Sequence, residues 1–296
     1  MASYYVWSGA TGAANGTSWA NAYVAIGDAT TGKPAGDVFY VAHDHAQSHS
    51  INTGFTVANT FATPSKVICV NRAGSVPPVS ADRRATATVT GTGASQVGIG
   101  GCVHVDGIIF TGANYIAPCN ATGNSQRFDN CSFRITGAAA VTINFGNGGT
   151  VQGAYLELNN TTVSFGAVGQ TFDVVGHLRW RNTPSALLGT IPTTLFKFFS
   201  GRGSDIECIG VDLSAAGSGK SIFPTNSNLT AIKCRLIDCK LNAAVTIAAV
   251  PGNPGSNEVD VVRSGATGVS YNVYRHRTQG LLTEETSIVR TGGALA

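Results

Sequence analysis

Charge is scarce in this chain. Lys, Arg, Asp and Glu make up 12% of its 296 residues, about half the usual share of about 25%. The 19 basic and 16 acidic residues leave a net charge of +3. They form no cluster of the kind a phosphate backbone needs, so no nucleic-acid partner is expected. Long apolar runs are missing as well: no stretch approaches the roughly 18 apolar residues of a membrane span. Met1 to Trp7 has neither the basic n-region nor the apolar core of a secretory signal. No membrane partner follows, and synthesis in a cytoplasm is the expectation. G-x-S-x-G, a Walker loop and H-E-x-x-H are all absent, and Gly146 to Gly149 lie between β-like words instead of opening a helix, so they read as turns. The seven cysteines are odd in number and contain no CxxC pair. Cys69, Cys131, Cys208, Cys234 and Cys239 sit inside apolar strand words, where reduced thiols pack as small hydrophobes.

What the chain does have is 37 glycines and a hydrophobic content of 43%, too apolar for a disordered chain. It is long enough to bury about three quarters of its unfolded surface as one body. One short phrase keeps returning: Val105-Asp106-Gly107-Ile108-Ile109-Phe110, Phe128-Asp129-Asn130-Cys131-Ser132-Phe133, Leu158-Asn159-Asn160-Thr161-Thr162-Val163, Ile206-Glu207-Cys208-Ile209-Gly210-Val211 and Ile237-Asp238-Cys239-Lys240-Leu241. Each puts an apolar residue first, a polar one second and apolar or small residues at alternate places after it, and each reads as a short strand. The spacing of roughly 20 to 30 residues signals stacked coils. The fold class expected is all-β, a parallel β-helix (solenoid). In register, the second-position residues Asp106, Asp129, Asn159, Glu207 and Asp238 would form a self-repelling row, so they are read as turn or outward-facing residues. Asn130, Asn159 and Asn160 can satisfy turn backbone or form an amide ladder.

Three segments are expected. Residues 1–50 hold an N-terminal cap and first coil: Thr17 or Ser18 caps a short helix over Trp19 to Ile26, ended by Gly27, which lids the open apolar end of the stack, and Gly36 to Ala42 forms the first coil strand. Residues 51–250 form the β-helix body, with Val174 to Gly203 its more irregular part. Residues 251–296 form a charged β tail after a Pro251 to Gly255 linker, with two strands around Gly280 that dock on the last coil or on a neighbouring subunit.

Tyr5-Val6-Trp7, then Asn15-Gly16-Thr17-Ser18-Trp19-Ala20-Asn21-Ala22, then Gly36-Asp37-Val38-Phe39-Tyr40-Val41-Ala42 resembles the opening of right-handed parallel β-helix proteins of the pectin-lyase-like type, in particular those of tailed-bacteriophage virions. Ile68 to Pro78 and Thr283 to Gly293 are similar to phrases of phage structural proteins. The resemblance, together with the preference for right-handed parallel crossovers, gives the handedness. It implies a non-enzymatic structural protein located in the virion: a capsid decoration (cement) or fibre-like surface subunit, partnered by identical subunits as a homotrimer and by the major capsid protein or another virion protein. No room is left before the lid for an N-terminal anchoring domain.

The candidate sites are few. His43, Asp44, His45 and His49 fall within seven residues; a solvated loop is the preferred reading and a metal site the sharper one. The related lyases and tailspike hydrolases make a polysaccharide-degrading enzyme the runner-up. Asp205 with Glu207, or Asp212, would supply its carboxylates, and Arg235 or Lys233 its cation. A carbohydrate-binding module would use exposed aromatics such as Trp180 or Tyr274, whereas Trp180 packed between solvated Arg179 and Arg181 is the simpler account. Asp82-Arg83-Arg84 reads as a solvated turn. No cofactor, and no catalytic or metal residue, is assigned.

Overall fold

The computed structural model describes residues 1–296 other than 51–52, 94–95, 122, 140, 146–153, 199–203, 224–231, 249–256, 263, 266–269, 280–281 and 292–296. Within them the chain is all-β, with a five-residue α-helix at Ile26–Thr30 and a turn of 3-10 helix at Ser80–Asp82.

Period-two alternation builds the strands: in Ser125–Asp129, Gln126 and Phe128 are buried while Arg127 is exposed. Three large sheets share them. The long sheet orders Ser3–Val6, Val38–Ala42, Ser65–Val70, Val103–Asp106, Ser125–Asp129, Tyr155–Asn159, Gly176–Thr183, Ser204–Val211, Ile232–Ile237 and Asn257–Val262, each parallel to the next. The second orders Ala46–His49, Ala87–Gly91, Ile108–Gly112, Ser132–Ile135, Thr162–Phe165 and Leu187–Gly189. The third orders Thr53–Thr56, Gln96–Gly100, Tyr115–Pro118, Thr142–Phe145, Thr171–Val174 and Phe196–Phe198. Both are parallel throughout. From Val103 to Phe198 the chain visits long, second and third sheets in fixed rotation, and each strand pairs with the one a full circuit later. Circuits run from about 19 residues, where Gln96 faces Tyr115, to about 44, where Thr53 faces Val97. Val174 to Gly203, expected to be irregular, carries one strand of each sheet among its described residues.

The inward rows of the three sheets meet in one apolar interior. Along the long sheet the inward row reads Phe39, Val67, Val105, Phe128, Leu158, Trp180, Cys208, Leu236 and Val261, all buried. Phe110, Phe128 and Phe133 pack with ring centroids 5.0–5.8 Å apart. Each such side chain contributes about 1.5–3 kcal/mol on burial. All seven cysteines are free and buried. Gln126 is a polar member of this interior; its Nε2 donates to the Ile99 carbonyl at 2.8 Å and its Oε1 accepts from the Cys119 N–H at 3.0 Å, so its burial leaves the amide satisfied.

The recurring phrase turns out to straddle a corner. Val105-Asp106 ends one strand, Gly107 turns with φ +78°, and Ile108 starts the next strand. Asn130, Asn160, Asn182, Gly210 and Asp238 repeat the left-handed turn with φ between +47° and +63°, a conformation that Gly, Asn and Asp tolerate best. The amide ladder is present at this corner: Asn160 Nδ2 donates to Asn130 Oδ1 at 2.7 Å and Asn182 Nδ2 to Asn159 Oδ1 at 3.1 Å.

The lid helix starts about two turns later than the spacing suggests, at Ile26 and not Trp19. Asn21 binds the Gly-rich loop instead, taking the Ala13 N–H on its side chain and the Asn15 and Gly16 N–H groups on its carbonyl. Ser18 Oγ accepts the Asn21 N–H at 3.3 Å, capping a turn and not a helix. Gly27 therefore lies inside Ile26–Thr30, where a Cβ would stand 3.0 Å from the Gly54 carbonyl. Ile26 and Ala29 still seal the end of the core. At the other end Ser270–Gln279 and Leu282–Thr291 add to the long sheet as an antiparallel pair on Asn257–Val262; the expected linker lies outside the described residues.

Candidate functional site

The outward face of the long sheet carries the charge that the composition lacks elsewhere. One row holds Lys66, His104, Arg127, Glu157, Arg179, Glu207, Arg235 and Asp260 in register. From Arg127 onward the sign alternates at every strand. Opposite charges in neighbouring strands, about 4.8 Å apart, attract at each step. Arg179 Nε donates to Glu207 Oε2 at 2.7 Å, and Arg235 Nε lies 3.8 Å from Asp260 Oδ2. The flanking rows read Ser125, Tyr155, His177, Asp205, Lys233 on one side and Asp106, Asp129, Asn159, Arg181 on the other.

The second-position acids divide accordingly. Asp106 and Asp129 are adjacent, as the word alignment implies, and each is buried beneath cations. Arg83 Nη1 donates to Asp106 at 3.0 Å, which makes Arg83 more than a solvated turn residue. Asp129 accepts from His104, from Arg127 Nε at 3.0 and 3.1 Å, and from Asn159 Nδ2 at 3.0 Å. Burial pushes the Asp129 carboxyl up, but these hydrogen bonds outweigh it and hold the group down at about 2. Glu207 belongs to the alternating row, and Asp238 forms a left-handed corner.

Two clefts lie on this face and share Tyr155. The first, about 350 Å³, is walled by Phe61, Pro64, His104, Arg127, Tyr155 and Glu157. Phe61 is 76% exposed, so its ring stands at the rim. The second, about 120 Å³, is lined by Tyr155, His177, Arg179, Asp205, Glu207 and Arg235. Tyr155 donates to Glu157 at 3.4 Å; burial, and then the Glu157 charge, push its phenol up. His177 Nδ1 lies 3.4 Å from Asp205. The structure therefore brings together the sequence-derived trio Asp205, Glu207 and Arg235. Asp212 is elsewhere, at a corner with Lys240 Nζ 3.0 Å away.

The histidine cluster disperses. His43 and Asp44 occupy a turn, His45 is 1% exposed and turned inward, and His49 ends the strand Ala46–His49 in solvent. Among the described residues no group of three or more His, Cys, Asp or Glu side chains is placed to hold a metal ion. Trp180 cannot offer a sugar platform: it is fully buried, with Nε1 donating to the Thr161 carbonyl at 2.9 Å. The side chain of Tyr274 lies outside the described residues. Arg127 and Glu157 escape the sequence reading, and Arg179, expected as a solvated flank of Trp180, is bound to Glu207, although a signal exists: His104-Val105, Arg127-Phe128, Glu157-Leu158, Arg179-Trp180, Glu207-Cys208 and Arg235-Leu236 each set a polar or charged residue just before the inward apolar one. Phe61 has no such periodic marker.

Among the described residues no helix is long and apolar enough to cross a membrane. Comparison with protein-family models, with curated proteins and with solved structures gives no match.

Proposed function

We propose that the chain is a right-handed parallel β-helix serving as a non-enzymatic structural subunit of a bacteriophage virion: a capsid decoration or fibre-like surface subunit that assembles as a homotrimer and seats on another virion protein. The observation that carries this reading is the fixed rotation of parallel strands around one apolar interior, with an outward row whose charges neutralise one another from strand to strand. Such a body is stiff along its length and spends its ionic groups on itself. The resemblance of Tyr5 to Ala42 to virion β-helices supports the location, and right-handed crossovers are the rule for parallel strands. Identical subunits around a symmetric attachment point bury matching patches. The test is to purify particles of the phage that encodes the chain and analyse their proteins. The chain should co-sediment with the particle at a stoichiometry divisible by three; absence from the particle would end the proposal.

One observation favours a second reading, action on a polysaccharide. Asp205 and Glu207 alternate on one strand, so both face the same small cleft, beside Arg179 and Arg235. Alternate residues of a strand stand about 6.5–7 Å apart along the backbone, and glycosidic cleavage uses carboxylates about 5 to 10 Å apart. The Arg179 hydrogen bond fixes the Glu207 carboxylate in the cleft, the placement a nucleophile or base needs, while Asp205 with His177 would handle the proton. New reducing ends from host capsule, abolished by Glu207→Gln and by Asp205→Asn, would establish this reading. Binding without turnover would restrict it to a carbohydrate-binding groove.

A further inference from the structure

The lid at the N-terminal end is fastened to the second sheet through side chains of one strand and the turn before it. The Ser8 N–H donates to His45 Nδ1 at 3.0 Å, and the Ala46 N–H donates back to Ser8 Oγ at 3.0 Å. The Ile26 N–H, at the start of the lid helix, donates to Gln47 Oε1 at 3.0 Å. Gln47 thus does what a capping side chain would do at Ala25, which offers none. The lid is hinged through its backbone to the first strand of the long sheet, with Tyr23 N–H donating to the Tyr5 carbonyl at 2.9 Å and Tyr5 N–H to the Gly16 carbonyl at 3.0 Å. Beneath it lie Phe39 and Phe55, the first layer of the core.

We propose that His45 is an acid-operated latch: protonation of its imidazole releases the lid, Trp7 to Thr30, from the strand Ala46–His49 while the three sheets stay paired. The chemistry is one of donors and acceptors. Nδ1 accepts from Ser8 N–H only while it carries no proton; once protonated, two N–H groups point at each other across 3.0 Å. The new charge also sits in a residue 1% exposed, where no water can solvate it.

The charged groups around it do not rescue the imidazolium. Asp44, in the same turn, is held by Arg72 Nε at 2.9 and 3.0 Å, and the Arg72 guanidinium itself lies over the Trp7 ring at 4.1 Å. His43 beside Asp44 is 39% exposed. Lys66 and Tyr40 lie on the long sheet, while the neighbouring strand Ala87–Gly91 brings no ionisable side chain. The helix brings Asp28, and Lys33 beyond it lies over the Tyr4 ring at 4.3 Å. Asp37 accepts the Ala2 N–H at 2.6 Å, at the start of the first strand, so Asp37→Asn serves as the control. Burial lowers the His45 imidazole from its ordinary 6.5 to about 4, more than the Gln47 amide and the Asp44 charge raise it. An open lid takes up the proton near pH 6.5 and a closed one only near pH 4. Closure is therefore fully favoured above pH 6.5 and weakens as the pH falls towards 4, by on the order of a hundredfold.

Hydrogen exchange on the full chain, corrected for the pH dependence of intrinsic exchange, reads the latch directly. Peptides covering residues 8–30 should lose roughly a hundredfold in protection between pH 7 and pH 4, with residues 103–135 unchanged. His45→Asn keeps an acceptor but cannot titrate, so its lid should show no acid step. Gln47→Glu keeps the acceptor for Ile26 and places a carboxylate by the ring, so its step should move to higher pH. Loss of protection in lid and body together, an unchanged step in His45→Asn, or a step removed by Asp37→Asn would each overturn the latch. The Gln47→Glu shift decides the matter if His45→Asn folds poorly.

Discussion

Two rows of the long sheet run one residue apart along the same strands, yet physics holds them by different means. The inward row, Val105, Phe128, Leu158, Trp180, Cys208 and Leu236, lies in an apolar interior where each side chain is removed from water. The outward row, His104, Arg127, Glu157, Arg179, Glu207 and Arg235, consists of ionisable groups, several of them more than a third exposed. Removing area from water is non-directional and large. Pairing exposed ions is directional and small, because solvent screens it and long side chains lose freedom. The inward row therefore carries stability. The outward row discriminates between registers, since sliding one strand by two residues would change every charge contact on that face.

The contrast is broken most severely from inside. Phe128→Ala empties a site packed against Phe110 and Phe133 and should cost about 3–5 kcal/mol. Chemical denaturation should show this loss unchanged between low salt and about 0.5 M salt, a concentration at which the Debye length has shrunk to a few ångström. A salt-dependent loss would mean that the two rows are not separable.

Glu157→Lys attacks the outward row by setting a third cation between Arg127 and Arg179, which face position 157 in register on both sides. Two repulsive contacts replace two attractive ones, for an expected loss of about 1–2 kcal/mol, and raising the salt should restore much of it. Asp129 bridges the two regimes, being buried yet ionic. Its carboxyl is held at about 2, below its ordinary 3.8, so its contribution is complete above about pH 4 and is lost as the pH falls towards 2. In thermal melts Asp129→Asn should be less stable than wild type at pH 7 by about 1–2 kcal/mol. The gap should close by pH 2; one that stays constant with pH would show that the cations on Asp129 do not matter.

The same contrast governs what is legible in the sequence. The inward row can be read in Phe128 and Leu158, because period two and apolar identity mark it there, whereas the word that opens on Ile206 starts two residues before the row, which passes through Cys208. The outward row escapes, because alternation of sign appears only after the strands are laid in register, and circuit lengths between about 22 and 38 residues along the long sheet hide that register. The corner reads as a strand interior, since Gly107 and Asn130 look like interruptions until their left-handed φ is known. The start of the lid helix is misplaced by about two turns because its cap, Gln47, is distant in sequence. Asp205, Glu207 and Arg235 emerge as a group because they lie on neighbouring strand words, whereas Phe61 comes from a loop with no period.

The smallest expected effect separates backbone from side chain at the corner. Asn160 holds φ +48° and donates to Asn130 Oδ1 at 2.7 Å. Asn160→Ala loses that bond and keeps a Cβ in the left-handed region, so it should cost about 1–2 kcal/mol. Asn160→Gly loses the same bond but relieves the backbone, and should fall within about 0.5 kcal/mol of wild type. Chevron or equilibrium urea data on the pair decide which effect rules. If Gly and Ala cost the same, the amide ladder sets the turn; if Gly is nearly silent, the turn needs only a residue at ease with positive φ, and the ladder is its by-product. Burial predicts the second outcome, because Leu158 and Val163, both buried on either side of the corner, already fix where the chain must bend.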